Sequence, residues 1–362
     1  MTIWRKKRME VTMSVNGRYG FVGLGQMGGN VVKSIHTKGY SVMAANTAQS
    51  DLDGLDIPEE CKYHILGGYG SSKERKKAKQ LLAENNCENF DLLVNEIKER
   101  FKDCQIIFIV GSSGGGSGSA MLPSIKKRLQ AETDKIICAI TCTPDDNASM
   151  KEYMNCYEFF QELETIGGGG ATFIIDNNKN KEKLVLNEQF ACYLDAFLNC
   201  ETTSTRGVVD RAEIENVLSQ KGICIVNKQG SDKATTQTVI ERIRDNIYVS
   251  LEDDGVVANI ALVNSNNNVR LNEIIESVGK PLATFEGWEA DATVLAISGC
   301  SLPYKKLGEI KQKIEDDKDT IKKNLTATSE RRLTGSIDFL GDLTVEKPKT
   351  EKVESTRGWL FM

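Results

Sequence analysis

The sequence predicts an α/β fold in which a parallel sheet, covered by helices on both faces, is followed by a central helix and a smaller α/β domain. Three observations predict it. Short apolar runs alternate with helical patterns through the first half. The run Gln105–Val110 is apolar without a break from Ile106 on, as expected of a strand buried on both faces. Two glycine-rich segments, Gly23–Gly29 and Gly111–Ser119, each stand between a strand candidate and a helix candidate. Such alternation is the signature of a parallel sheet with crossover helices.

In chain order, Tyr19–Val22 reads as a strand, Gly23–Gly29 as a glycine loop, Asn30–Lys38 as a helix and Tyr40–Ala45 as a strand. A polar stretch containing Gly67–Ser72 follows. Lys73–Asn85 and Phe90–Phe101 read as helices, Gln105–Val110 as a strand, Ala120–Gln130 as a helix and Lys135–Thr141 as a strand. Met150–Ile166 is helical, and Ala171–Ile175 is a strand after the break Gly167–Gly170. Lys183–Leu198 is largely apolar, so it is expected to be buried on most sides between two domains. Ala212–Gln220 is helical, and Ile223–Asn227, Val257–Val263 and Ala292–Ile297 are strands with helices between them. Leu307, Ile310, Ile314, Ile321 and Leu325 recur near helical spacing, as on an amphipathic surface helix. Thr326–Met362 is polar up to Trp359–Met362 and reads as a flexible tail.

Composition narrows the function. The 362 residues are 40% hydrophobic and 27% charged, with a formal net charge of -5. A mildly acidic chain lacks the basic surface that coats DNA unaided, so any DNA contact is expected to be indirect. No apolar run reaches the roughly 18 residues of a membrane span. The basic opening Met1–Glu10 is not followed by the apolar stretch of a signal peptide. Ten cysteines without such a signal, and without a CxxC pair, read as reduced thiols in a cytoplasmic protein rather than a zinc site. With His36 and His64 the only histidines, a histidine triad or metal cluster is not expected.

The glycine segments carry the chemistry. Gly23–Asn30 follows a strand and opens a helix, where backbone N–H groups can face a phosphate. The same GxGxxG pattern fits a Rossmann-like dinucleotide site. That site expects an acid at the end of the second strand, where this chain has Ala44, Ala45, Asn46 and Thr47, with Asp51 and Asp53 further on. This counts against an NAD-dependent oxidoreductase, which stays as the remote alternative. Gly111–Ser119 forms the stronger signal, a nest of N–H groups with serine hydroxyls. No lysine follows its glycines, so it is not a Walker-type loop.

These segments together resemble the tubulin/FtsZ superfamily. Gly111–Ser119 resembles its GGGTGTG/S signature, with Ser117 in the threonine position, and Gly23–Asn30 its GxGxxGGN phosphate loop. Ala44–Thr47 resembles its AANT segment, Gly67–Gly70 its loop near the γ-phosphate, and Thr143-Pro144 the start of its sugar-side loop. The order and spacing agree from about residue 18 to residue 300. The resemblance implies a Rossmann-like GTPase domain over 18–182, a connecting helix over 183–206 and an activation domain over 207–303. A helix over 304–325 and a tail over 326–362 follow, and 1–17 is an extension.

The resemblance further implies GTP or GDP held by Gly25, Gln26, Met27, Asn30, Asn46, Gly70, Gly114, Gly115, Gly116, Ser117, Gly118 and Thr143. Asn177 and Asn187 would read guanine, whose edge offers both donors and acceptors to an amide. Asn177 and Asn178 also suit a plain turn. The aromatic residue that the family places before the second reader is missing, with Lys183 in that region. Magnesium would be held mainly through phosphates and water.

Val209–Ile214 resembles the family's NVDFADV loop, which completes the nucleotide site of the next subunit in a filament. Asp210 and Glu213 hold its two acidic positions, and would polarise the attacking water. Val208 replaces its asparagine and Arg211 its phenylalanine. The same two acids also fit the capping box of the helix that follows. The stretch after Thr143-Pro144 lacks the FEG pattern of division FtsZ, and Arg357–Met362 is not its terminal peptide. The pattern is more similar to the TubZ branch, which implies plasmid or phage DNA segregation through a TubR-type DNA-binding adaptor, with the tail as candidate contact. A cell-division or phage-spindle filament is the alternative within the superfamily, and a nucleotide-gated scaffold that does not hydrolyse is a further one.

Overall fold

The strand Ile106–Gly111, at the heart of the sheet, is IIFIVG with all six residues buried. A computed structural model describes residues 15–201, 204–320, 322 and 323. The chain falls into two units, Met1–Asp316 and Asp317–Met362, and every strand among the described residues lies in the first. The basic opening segment, Ile321, Leu325 and the tail lie outside the described residues.

The elements run β1 (Tyr19–Leu24), α1 (Gly25–His36), β2 (Ser41–Asn46), α2 (Gln49–Asp53), β3 (Lys62–His64), α3 (Arg75–Arg100), β4 (Ile106–Gly111) and α4 (Ser117–Glu132). They continue as β5 (Ile136–Thr143), α5 (Met150–Thr165), β6 (Ala171–Asp176), α6 (Lys183–Leu198), α7 (Arg211–Ser219) and β7 (Gly222–Gly230). Then come α8 (Thr236–Arg244), β8 (Asn259–Asn264), α9 (Leu271–Val278), β9 (Ala283–Trp288), β10 (Ala292–Cys300) and α10 (Tyr304–Asp316).

The ten strands of the described residues form one sheet in the order β3-β2-β1-β4-β5-β6-β7-β10-β8-β9. From β3 to β7 every pairing is parallel. The hand-over from β6 to β7 is narrow, with only Ala171↔Gly222 and Thr172↔Ile223 in register. Beyond it β10 is antiparallel to both neighbours, and β9 closes the edge parallel to β8. Helix α6 packs against α1, β7 and β10, so it touches both sides of this hand-over, as its apolar sequence predicts. The aromatic rings Phe21 and Phe108 stack at 4.6 Å in the first half of the sheet. Phe108, Phe173, Phe190 and Tyr248 continue edge to edge or tilted into α6 and the segment before β8.

Several elements differ from the sequence reading. No loop separates β1 from α1, because Gly25 takes φ +71 and turns the chain directly from strand to helix. The second glycine loop is likewise shorter, since β4 ends at Gly111 and α4 starts at Ser117. The two helices expected over Lys73–Phe101 are the halves of α3, separated where Asn85, Asn86 and Cys87 turn left-handed. β3, α2 and β9 were not anticipated. β9 was missed because the edge strand ATFEGW is half-exposed and lacks an apolar run. Helix α10 is amphipathic as expected, burying Leu307 and Ile310. No helix among the described residues is long and apolar enough to cross a membrane.

Candidate nucleotide-binding site

The parallel strands all end on one edge of the sheet. The chain builds β1, β2 and β3 outward in one direction, then returns to place β4, β5 and β6 on the other side of β1. The carboxyl ends of β1 and β4 therefore flank a topological switch point, the place where α/β sheets bind ligands. Both glycine segments lie there, after Leu24 and after Gly111, which are directly paired.

Two helix N-termini open on this crevice. Neither α1 nor α4 has an acid in its first turn or a side-chain cap, so the first N–H groups and the positive ends of both helices remain for an anion. The helices approach closely enough that a Cβ on Gly25 would lie 3.2 Å from the Gly118 N–H nitrogen. A Cβ on Gly116 would lie 2.8 Å from the Glu74 nitrogen and closer still to the Ser71 hydroxyl. Glycine is what lets the backbone form this cradle, and a polyphosphate fits its donors. A cleft of about 180 Å³ runs beside it, lined by Gly25, Gln26, Asn30, Asn46 and Asp51 among others. A larger cavity of about 720 Å³ lies elsewhere, between the ends of α8 and α9 and the start of α10, and shares none of the glycine-loop residues.

Ser117 ties three segments together. Its Oγ lies 2.9 Å from Thr47 Oγ1 and donates to Ser71 Oγ at 3.0 Å. Gly70, at φ +87, donates its N–H to the Thr47 carbonyl at 3.0 Å. Asn46 makes an Asx turn, accepting from the Ala48 N–H at 3.2 Å and donating to Asp51 Oδ2 at 2.9 Å. Thr47, the end of the AANT-like segment, and Ser71 belong to this cluster but are not among the residues expected from sequence to hold nucleotide, because a hydroxyl in a polar loop has no periodic signature. Gln26, Met27 and Asn30 line the first two turns of α1.

On the other side, Thr143 Oγ1 donates to Asp176 Oδ1 at 3.4 Å, joining the ends of β5 and β6. Asn177 follows β6 and donates to Cys142 Sγ at 3.4 Å. Asn177 and Asn178 do form a turn, closed by the Lys179 N–H on the Asp176 carbonyl at 3.0 Å. Lys183 pairs with Asp145 at 2.5 Å, and that hydrogen bond raises the lysine's pKa. Asn187 is buried one turn further along α6, and its amide makes no hydrogen bond among the described residues. The crevice edge thus collects the glycine, serine and threonine positions, with Asn177 beside them after β6.

Asp210 and Glu213 are not among them. They form the reciprocal capping box of α7, Asp210 Oδ1 accepting from the Glu213 N–H and Glu213 Oε2 from the Asp210 N–H, each at 3.0 Å. The sixteen residues of α6 carry the chain about 24 Å from the crevice. Beyond it Glu201 pairs with Arg18, which precedes β1, at 3.2 Å. The acids follow a segment that lies against β9, where the Trp288 N–H donates to the Gly207 carbonyl, and none of their hydrogen bonds reaches the glycine crevice. Among the described residues no cluster of three or more His, Cys, Asp or Glu could hold a metal ion.

Sequence comparison agrees with this geometry. Residues 19–184, from the first strand to the start of α6, match the tubulin/FtsZ family, GTPase domain. Over that stretch the chain is similar to the GTPase domain of the tubulin/FtsZ family. Among particular proteins it is similar to the tubulin-like protein TubZ of Clostridium botulinum C phage, 26% identical over 324 residues and 88% of each chain. A cell division protein FtsZ of Mycoplasmopsis pulmonis is 22% identical over 370 residues, 92% of this chain and 89% of that one. The fold is that of solved TubZ structures. Tail-truncated TubZ of Clostridium botulinum phage c-st superposes with a TM-score of 0.76 at 24% identity, covering 85% of this chain and 100% of that chain. TubZ of Bacillus thuringiensis serovar israelensis, solved as a GTPγS-form protofilament, gives 0.69 at 18% identity, covering 86% and 96%.

Proposed function

We propose that the chain binds GTP at the switch-point crevice and hydrolyses it between copies of itself stacked in a filament. The observation that carries this reading is the separation of the glycine crevice from Asp210 and Glu213, which follow the sixteen-residue helix α6 and bond only within the capping box of α7. Stacking head to tail brings the acids of one copy over the cradle of the next.

The N–H groups opening α1 and α4 receive the phosphates, with the Ser117 hydroxyl beside them. Asn177 and Asn187 offer amides to the guanine edge. Asp210 and Glu213 each commit one oxygen to the capping box, leaving the other to orient water for in-line attack on the terminal phosphorus. Magnesium, held through phosphates and water, would neutralise charge on the phosphates. The domain boundaries inferred from sequence, 18–182, 183–206, 207–303, 304–325 and 326–362, suit this division of labour. The likeness to TubZ supports DNA segregation through a TubR-type adaptor that contacts the tail. Likeness to FtsZ keeps a division filament as the second reading.

The test is GTPase rate against protein concentration, with pelleting in parallel. A threshold shared by rate and pelleting is expected. A rate per molecule independent of concentration overturns the shared site.

A further inference from the structure

Asn155, on the second turn of α5, is buried to 7% exposure. Its Nδ2 donates to the Lys73 carbonyl at 2.9 Å, the Gly114 carbonyl at 3.0 Å and the Gly115 carbonyl at 3.3 Å. One amide nitrogen has two hydrogens, so the three carbonyls share them. These carbonyls belong to two segments far apart in sequence, the turn after β3 and the glycine loop after β4.

The first segment needs holding. Ser72 and Lys73 take φ +50 and +60, left-handed values that cost non-glycine residues on the order of 1 kcal/mol or more each. Helix α5 supplies the restraint. Besides Asn155, Glu152 pairs with Lys73 at 2.9 Å and Lys151 with Glu74 at 3.1 Å. The restrained turn lies against Gly116, where no side chain would fit. In the second segment, a trans peptide points its carbonyl and N–H in opposite directions. With the Gly114 and Gly115 carbonyls turned to Asn155, the following N–H groups face away from α5. That of Gly115 meets the Ser112 hydroxyl at 3.3 Å, and that of Gly116 has no partner among the described residues.

We propose that Asn155 is a positioning residue that locks the 71–74 turn to the Gly114–Gly116 loop, and thereby gives the site its preference for a nucleoside triphosphate over a diphosphate. The inference rests on the nucleotide reading of the same crevice. A terminal phosphate seated between the two segments gains from both only while they are held in register. A diphosphate, stopping short, depends on the glycine loops alone.

The experiment titrates full-length wild type, Asn155→Asp and Asn155→Ser with fluorescent GDP and a non-hydrolysable GTP analogue, below the concentration that pellets. Hydrogen exchange of residues 67–76 is followed alongside. Aspartate keeps the shape but turns acceptors toward three carbonyls, and serine keeps a donor too short to bridge them. Triphosphate affinity is expected to fall about tenfold more than diphosphate affinity in both variants. In wild type, triphosphate but not diphosphate slows exchange over 67–76, and both variants lose that difference. Should Asn155→Asp not fold, Asn155→Ser carries the test. Equal losses for the two nucleotides, or no loss, overturn the proposal alone. Wild type that binds neither guanine nucleotide overturns it together with the reading beneath it.

Discussion

The Arg206 guanidinium lies over the Trp288 ring, 3.8 Å from its centroid. Trp288 ends β9, and its N–H donates to the Gly207 carbonyl at 3.2 Å. Arg206 also donates to Asn267 Oδ1 at 2.7 Å. The segment leading to Asp210 is thus pinned to the edge strand by a stacked cation and a backbone bond. Replacing Trp288 by Leu keeps apolar bulk and removes the ring face. Such a contact is worth about 0.5–1 kcal/mol where water reaches it. The variant is expected to fold and bind nucleotide as wild type does, while turnover in pelleted protein falls several-fold. Parallel binding and steady-state assays check this; an equal loss in both would tie Trp288 to the nucleotide crevice instead.

Asp210 has a structural role and a proposed catalytic one, and two substitutions separate them. Alanine removes the cap of α7, costing about 1 kcal/mol, whereas asparagine caps about as well as aspartate. Asp210→Asn should therefore unfold at nearly the wild-type temperature yet lose about a hundredfold in turnover, the scale of a lost charged group acting on the attacking water. Thermal unfolding and GTPase assays on the pair decide it. Full activity in Asp210→Asn would leave the residue as a cap.

At Gly116 the approach of the 71–74 turn leaves no room for a methyl group. Gly116→Ala must displace the Glu74 backbone or the Ser71 side chain. Overpacking of this kind costs about 1–3 kcal/mol. The expected result is a lower unfolding midpoint together with loss of nucleotide binding, read by urea titration and equilibrium binding. Wild-type binding in this variant would mean that the cradle is not the phosphate site.

Alkaline pH should destabilise the fold. Burial pushes the thiols of Cys138, Cys156, Cys200 and Cys300 from 9.0 up to about 12. The unfolded chain loses these protons first, so stability is full below about pH 9 and falls as pH rises towards 12. Lys126 works the other way. Burial lowers it from 10.5 to about 8, so its contribution improves between those values. One amine against four thiols leaves a net loss. Urea midpoints under reducing conditions at pH 7.5 and about pH 10 should show the decline. Lys126→Met should steepen it by removing the opposing group.

Much of the first half was legible because a parallel strand buried on both faces has to be apolar throughout, as in Ile106–Gly111. Helix α6 was legible to its end residues because burial on most sides leaves little polar surface. The proposed phosphate cradle was legible as glycine, since backbone crowding at Gly116 and Gly118 leaves no room for a side chain. Edge strand β9 was not, because half its surface faces water and Glu286 and Gly287 interrupt its pattern.

The sequence by itself determined which segments are strands in the parallel half, where the glycines must stand, and that Asp210 and Glu213 have the spacing of a capping box. Those properties depend on neighbours a few residues apart. Only the tertiary structure decided that Asn155 reaches carbonyls 41 and 82 residues away, that Ser117 meets Thr47 and Ser71, and that Arg206 covers Trp288. An asparagine on a helix or a serine in a loop looks the same in sequence whether it faces water or clamps a backbone. Its partner is set by the packing of whole elements, and that packing also keeps Asp210 and Glu213 out of the glycine crevice of their own chain.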